Sequence, residues 1–319
     1  MHRNQFWIMG LLAGIAGGLM AYAGLYAGVG TIFLLLAAPF TVYVASLGWG
    51  TAAGLTAAVV ATAITGFDGT MAAPVVGGAL LFFPAAWAGH LANLARRDTI
   101  AGAGAANGRE VTVWFPLSGV LLRLMLSLIA GVVITGWVVG YSGDELAEGF
   151  LKMMSEYYAR QAEFDSPGTE ALQRSARLYA GMIPLFIPAV LLFVHVTIIY
   201  LAAMVVRLSG RLSRPADDIA ATASLPVEAL ALPAAGLVCM MLFSGSAYAV
   251  AAVVAGIGVA GFALVGLAEL HHISRGRPGR GFLLFISYFM LVLFTFPLLI
   301  FAGMGVRRTI RHRNAPPPT

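Results

Sequence analysis

Charged side chains are scarce in this sequence. Only 10% of its 319 residues are Asp, Glu, Lys or Arg, whereas 60% are hydrophobic, and the mean hydropathy is +0.87. A soluble domain carries about 25% charged residues. The chain therefore cannot cover itself with a charged surface, and a lipid bilayer is the solvent that suits it.

Cysteine and lysine are almost absent. The single Cys239 lies in an apolar run, which excludes an intrachain disulfide framework and a cysteine-based metal site. Lys152 is the one lysine among 19 basic residues, so arginine carries the net charge of +5. In a membrane protein, such an excess orients the chain in the bilayer. We therefore expect no nucleic-acid partner.

Recognisable catalytic motifs are missing as well. The sequence has no Gly-rich phosphate loop of the Walker type, no His-Glu-x-x-His, no paired Cys motif and no Gly-x-Ser-x-Gly elbow. We therefore expect no enzyme and no cofactor. No apolar run carries Asp or Glu near its centre, which argues against a proton-coupled transporter that works alone.

Long apolar runs are what the sequence does contain. About 20 apolar residues cross the hydrocarbon core as a helix. Runs of that length, or nearly so, are 6–27, 31–48, 51–66, 72–95, 115–141, 179–206, 230–247, 249–270 and 282–306. The pattern predicts an all-α fold, a polytopic transmembrane helical bundle of eight or nine spans that forms one domain over residues 1–306.

Arginine-rich connections predict the orientation. They are the loops 96–110, 207–229 and 271–281. A cytoplasmic N-terminus followed by eight crossings puts all three in the cytoplasm, as expected for a bacterial inner-membrane protein. A ninth crossing would put the basic, Pro-rich tail 307–319 outside. Either the tail is an exception, or one short segment does not cross.

Two polar segments interrupt the apolar runs. Residues 142–178 are acidic, which favours the external side, and their apolar residues recur at helical spacing. They predict an amphipathic insertion that lies on the membrane surface or covers an external pocket. In the cytoplasmic loop 207–229, a short interfacial helix is expected to begin near Asp217.

A few polar and aromatic residues within the spans are candidates for a substrate or pore site. His195 and Arg123 are ionisable groups inside apolar runs, which makes them functional candidates. Alternatively, His195 bonds to a neighbouring helix, and Arg123 extends to the headgroups. Aromatic side chains on the predicted external side could line a small-molecule site or belong to the interfacial belts. They are Tyr22, Tyr26, Trp137 and Tyr141.

The first apolar run, "GLLAGIAGGLMAYAG", has two strips of small residues with a spacing of four. One strip is Gly10, Gly14 and Gly18, and the other is Ala13, Gly17 and Ala21. Such strips let the backbone of a second helix approach closely. They predict packing against partner helices, either within the same bundle or in another protein.

The order of features resembles two families. The small-residue helix, "LLLAAPFTVYVASLGWG" (34–50), "TAAGLTAAVVATAITG" (51–66) and the later "SLPVEALALP" (224–233) are similar to YybS-like bacterial membrane proteins of unassigned function. More distantly, they resemble substrate-binding subunits of energy-coupling factor importers. That resemblance implies a bundle that holds a small molecule from outside. It also implies that Ala13, Gly17 and Ala21 dock a transmembrane coupling protein driven by ATPases. Those subunits have about six helices, fewer than the eight or nine expected here.

Two functions follow as hypotheses. The first is a transport-associated subunit that binds an unknown small organic ligand and needs a separate energising partner. The alternative is a non-transporting membrane scaffold or assembly protein whose Arg-rich loops recruit cytoplasmic partners.

Overall fold

The computed structural model describes residues 4–67, 69–100, 109–160, 168–294 and 296–313. Within them the chain is almost wholly helical, with one two-stranded sheet. The first helices are α1 Asn4–Tyr26, α2 Ile32–Ala37, α3 Pro39–Trp49, α4 Thr51–Thr65, α5 Ala72–Val76, a π-helical turn Gly77–Phe82 and α6 Phe83–Ala92. The hairpin of β1 Ala95–Ile100 and β2 Arg109–Trp114 follows. The remaining helices are α7 Leu117–Val139, α8 Gly143–Arg160, α9 Thr169–Leu208, α10 Ile219–Thr222, α11 Ala231–Leu242, α12 Gly245–Ile273, α13 Arg280–Leu293 and α14 Pro297–Arg313.

Six helical stretches of the described chain are long and apolar enough to cross a membrane. They are Gln5–Tyr26, Ile32–Trp49, Ala72–Ala92, Leu117–Val139, Thr169–Leu208 and Gly245–Ile273. Three shorter apolar helices, Thr51–Thr65, Val227–Leu242 and Arg280–Leu293, lie where the sequence predicts further spans. The all-α class is confirmed, and the count of eight or nine spans stays a prediction.

The N-terminal half is built around the small residues of α1 and α4. These two helices run parallel, and a Cβ added to Gly10, Gly14 or Gly18 would overlap atoms of α4. The opposite face of α1 exposes mainly large apolar side chains, which are as apolar as lipid tails. They are Trp7, Ile8, Leu11, Leu12, Ile15 and Leu19.

The C-terminal half is built around α12, the most buried of the long helices. Helix α14 runs parallel to it, because Gly266 lies against Gly305, and Glu269 pairs with Arg308 at the same offset of 39 residues. A Cβ at Gly266 would overlap the carbonyl oxygen of Phe301, and one at Gly305 would overlap that of Phe262. The two backbones are therefore in direct contact.

The predicted span 282–306 is not one helix. It is divided into α13 and α14 at Phe294–Pro297, where proline begins the second helix. At 1.5 Å per residue, the 14 residues of α13 cover about 21 Å, after which α14 returns beside α12. Arg308 consequently lies at the same end of the bundle as residues 220 and 221. This geometry returns the start of the tail to the end of the bundle where α12 ends, an arrangement that neither of the two predicted alternatives describes.

Two further boundaries differ from the predictions. The loop 96–110 contributes to a β-hairpin, and its residues 101–108 lie outside the described residues. Helix α9 begins at Thr169, so the last ten residues assigned to the insertion 142–178 belong to the 40-residue helix. Residues 161–167 of that insertion and 314–319 of the tail also lie outside the described residues.

Helix α8 occupies most of the predicted insertion. Four of its side chains, at a spacing of four, are partly buried: Leu146, Phe150, Met154 and Tyr158. The helix packs on α9, where the rings of Phe150 and Tyr179 lie 6.2 Å apart. Its exposure to the external side stays a prediction.

Candidate functional site at the basic end

The predicted Arg-rich segments meet at one end of the bundle, called the basic end from here on. It comprises the hairpin strands 95–100 and 109–114, the connecting segment 207–229, and the C-terminal ends of α12 and α14. Helix α10 lies in the connecting segment, and the Asp218 carboxylate caps it by accepting from the Ala221 N–H at 3.1 Å. The short helix begins at Ile219, two residues after the predicted start near Asp217.

Arg214 joins the connecting segment to the hairpin. Its side chain is buried, and Nη1 donates to the carbonyl oxygens of Ala92 at 3.2 Å and Phe115 at 2.8 Å. Its Nε donates to the Asp217 carboxylate at 2.6 Å. Ala92 ends α6, where carbonyls lack helical donors, and Phe115 directly follows β2. The buried guanidinium therefore holds both ends of the hairpin against residues 214–217.

Arg308 joins the connecting segment to α12 and α14. Only 4% of it is exposed. Nη1 donates to Glu269 Oε2 and to the Ala220 carbonyl, each at 2.9 Å, and Nη2 donates to the Ala221 carbonyl. A buried guanidinium is stable only when it is paired and hydrogen-bonded. These bonds provide partners for Nη1 and Nη2 and connect three segments through one side chain.

Arg275 and Asp218 form a third, exposed connection. Two guanidinium nitrogens of Arg275 donate to the two carboxylate oxygens, one of them at 2.6 Å. These hydrogen bonds lower the pKa of Asp218 to about 2 and raise that of Arg275. Both groups are therefore charged at neutral pH, and the turn after α12 is tied to the N-terminus of α10.

The first strand of the hairpin carries exposed charged side chains. Arg96 pairs with Val113, Arg97 with Thr112, and Asp98 with Val111 across the antiparallel ladder. An ion pair of 3.2 Å joins the exposed Arg96 and Asp98. Because the sheet has two strands, each strand has an outer edge that pairs with no other strand of the described chain.

A groove of about 140 Å³ opens at the same end, between α12 and α14. It is lined by Glu269, Ile273, Met304, Arg307, Arg308 and Arg311. In the described part of the chain, no three His, Cys, Asp or Glu side chains are grouped closely enough to hold a metal ion.

His195, a predicted substrate or pore residue, lies apart from this end in the buried core. It is fully buried between α9, α3 and the π-helical turn. Its Nε2 donates to the Leu80 carbonyl at 2.8 Å, and Nδ1 of the neutral ring accepts from the Tyr43 hydroxyl at 2.9 Å. The structure thus shows the hydrogen bond to a neighbouring helix that one of the two predictions for this residue describes.

The other predicted site residues are not brought together. Arg123 is exposed, lies 4.8 Å from the centre of the Phe115 ring and donates to the Gly119 carbonyl at 3.4 Å, so it points towards the basic end. Tyr22 and Tyr26 contact each other near the end of α1, with ring centroids 4.7 Å apart. On another helix, Trp137 is 84% exposed.

Tyr141 is partly buried just after α7, two elements away from His195 in the chain. The described residues therefore show no enclosed site that unites His195, Arg123 and the four aromatic residues.

Both small-residue strips of α1 face helices of the same chain. Gly10, Gly14 and Gly18 contact α4, and a Cβ at Gly17 would overlap the Thr41 hydroxyl on α3. Ala21 is fully buried, and Ala13 packs against the core. Of the two predicted uses of these strips, the structure shows packing within the bundle.

Sequence reasoning did not identify Arg214 or the hairpin as organising features. The alternation of polar and apolar residues in "REVTVW" (109–114) was an available signal for the strand. No comparable signal existed for Arg214, because its backbone acceptors are 122 and 99 positions away.

Comparisons with known proteins identify no relatives. No family model, no curated protein and no solved structure matches this chain.

Proposed function

We propose that this chain is a non-catalytic integral membrane scaffold whose basic end docks a cytoplasmic protein. One observation carries the proposal: buried Arg214 and Arg308 connect the hairpin, the connecting segment and the ends of α12 and α14 into one surface. A positioned surface suits recognition, since fewer groups must be ordered on binding.

The chemistry of that surface favours an acidic partner. Arg96 and Arg97 lie exposed on β1, and Arg277 lies exposed after α12. The strand edges of the hairpin add unpaired N–H and C=O groups, to which an extended segment of another protein can pair. We therefore expect a soluble protein with an acidic surface that contacts the hairpin.

The test is affinity purification from native membranes in a mild detergent, followed by mass spectrometry. The double variant Arg96→Gln/Arg97→Gln removes two exposed charges from the hairpin. We expect the affinity for the partner, and with it the amount recovered, to fall at least about tenfold, which equals roughly 1.4 kcal/mol of binding free energy. The matched control Lys152→Gln/Arg160→Gln removes two exposed charges from α8 and should retain the partner. Unchanged recovery with the hairpin variant, or equal loss with the control, contradicts the proposal.

The transport-associated function is a second candidate, supported by the π-helical turn beside His195. Such turns are rare in proteins overall, and those that occur are often found at functional sites. Here the turn supplies the Leu80 carbonyl that His195 contacts. On this hypothesis a ligand site opens in another conformation, and the same purification recovers a transmembrane coupling protein with ATPases. Recovery of that complex with the hairpin variant as well would favour this candidate over the scaffold.

A further inference from the structure

The groove between α12 and α14 contains more positive charge than its own residues neutralise. Glu269 is the one carboxylate in its lining, and Arg308 already pairs with it. Arg307 and Arg311 form no ion pair with any described residue. They stand four apart on α14, a spacing at which like charges destabilise a helix. The groove therefore favours an added anion.

Arg308 lines the same groove and adds a third guanidinium group, whose Nε is buried without a hydrogen-bond partner among the described residues. Because this atom is closed off from the groove, it does not itself contact a ligand there. The exposed guanidinium groups of Arg307 and Arg311 can do so, and arginine is well suited to bind phosphate.

The position of the groove identifies the source of the phosphate. Helix α14 changes from apolar to basic at Arg307, the pattern of a segment that passes from hydrocarbon to headgroups. Met304 gives the groove an apolar wall on the hydrocarbon side of Arg307, and Ile273 gives it a second apolar wall at the level of Arg311. On the outside of α14, Leu299, Ile300 and Ile310 are exposed. A free phosphate would leave these apolar surfaces unused, whereas a lipid would cover them with its acyl chains.

We propose that this groove binds the phosphate headgroup of an anionic phospholipid, held by Arg307 and Arg311 between the apolar walls that Ile273 and Met304 supply. The site is separate from the hairpin surface, and it does not depend on a protein partner. Its lipid would stabilise the return of α14 beside α12, because both helices contribute to the groove.

The test is thermal unfolding of the purified chain in detergent with added lipid. Phosphatidylglycerol should raise the Tm by about 4 °C, the size expected when ligand is well above its Kd. Phosphatidylcholine with the same acyl chains should not. The variant Arg307→Gln/Arg311→Gln should lose the shift, and the control Arg96→Gln/Arg97→Gln should keep it, whatever its effect on a protein partner.

The other outcomes overturn the proposal. A shift that persists in Arg307→Gln/Arg311→Gln places the lipid elsewhere, and an equal shift with phosphatidylcholine shows that acyl-chain contact suffices. An equal shift with inorganic phosphate at the same concentration identifies a free-anion site instead. Equal loss in both double variants shows dependence on overall charge. If the test variant lacks a cooperative transition, Arg311→Gln alone is used, because that side chain is exposed.

Discussion

His195 shows how one residue compensates for an irregular helix. Pro84 stands four residues after Leu80 and has no N–H to donate to the Leu80 carbonyl in an α-helical register. In the membrane core, water cannot replace the missing donor. The His195 Nε2–H supplies it from α9, and the Tyr43 hydroxyl satisfies the other ring nitrogen. The three groups therefore form a closed set of hydrogen bonds between α3, the π-helical turn and α9.

Removing the ring should cost more than removing the hydroxyl. His195→Leu leaves both the Leu80 carbonyl and the Tyr43 hydroxyl without partners, and we expect a loss of about 1–3 kcal/mol in the free energy of unfolding. Tyr43→Phe leaves one ring nitrogen unpaired, so its expected loss is about 0.5–1.5 kcal/mol. Denaturant titration of the purified protein, followed by tryptophan fluorescence, measures both.

The control for this comparison is Tyr200→Phe, which removes a hydroxyl from an exposed position of the same helix α9. It should leave the unfolding midpoint unchanged. A His195→Leu variant as stable as the parent would mean that these hydrogen bonds make no net contribution to the free energy of unfolding.

Sequence reasoning identified His195 because a lone histidine in an apolar run is conspicuous and needs a partner. It could not identify the partner, because the acceptor is a backbone carbonyl 115 positions away and carries no sequence signature. The same holds for Arg214 and Arg308. Each was one arginine among several in a basic loop or tail, and burial against distant carbonyls is what distinguishes them.

At the scale of elements, the contact between α12 and α14 depends on two glycines. Gly266 and Gly305 let the helices approach until each Cα lies against the backbone of the other helix. Neither backbone can move aside as a flexible side chain would. Helices in lipid associate largely through such close packing, since apolar burial gives little preference for protein over lipid.

We therefore predict that Gly266→Ala separates these helices and lowers stability by about 1–3 kcal/mol, the usual cost of overpacking. The matched control is Gly303→Ala on α14, where an added Cβ meets no atom within 4 Å. Because alanine favours helix formation over glycine by about 1 kcal/mol, the control should be neutral or stabilising. Thermal unfolding in detergent gives both values, and equal behaviour of the two variants would refute close packing as the cause.

Hydropathy located the long helices because it reports apolar length, which the bilayer fixes. It could not detect the break between α13 and α14, since residues 282–306 are apolar on both sides of Pro297. Nor could it show that the strips of α1 are covered by α3 and α4. Small residues mark a close approach without identifying the helix that approaches.

At the scale of the whole molecule, the return of α14 reconciles the charge pattern with the fold. Arg275 bonds to Asp218, and Arg308 bonds to residues 220 and 221. The connecting segment, the turn after α12 and the end of α14 therefore all lie at the basic end. The hairpin joins the same end through Arg214. With these segments together, the predicted cytoplasmic orientation no longer makes the start of the C-terminal tail an exception to the positive-inside rule.

This arrangement predicts the labelling of single cysteines by a membrane-impermeant maleimide in intact cells and in inverted vesicles. In a Cys239→Ala background, Ser213→Cys, Arg277→Cys and Arg311→Cys test the connecting segment, the turn after α12 and the end of α14, all at exposed positions. Ser155→Cys on α8 tests the opposite end. The first three should label only in inverted vesicles, and Ser155→Cys only in intact cells.

The side from which Arg311→Cys is labelled decides whether residues 282–306 cross the bilayer once or form a returning pair of helices. If 282–306 crossed the bilayer as a single span, Arg311→Cys would label in intact cells together with Ser155→Cys. If α13 and α14 form the returning pair, it labels with Ser213→Cys, because the ion pair of Arg308 with Glu269 holds the end of α14 beside that of α12. Labelling of all four positions from one side would instead contradict the assignment of α8 to the opposite end.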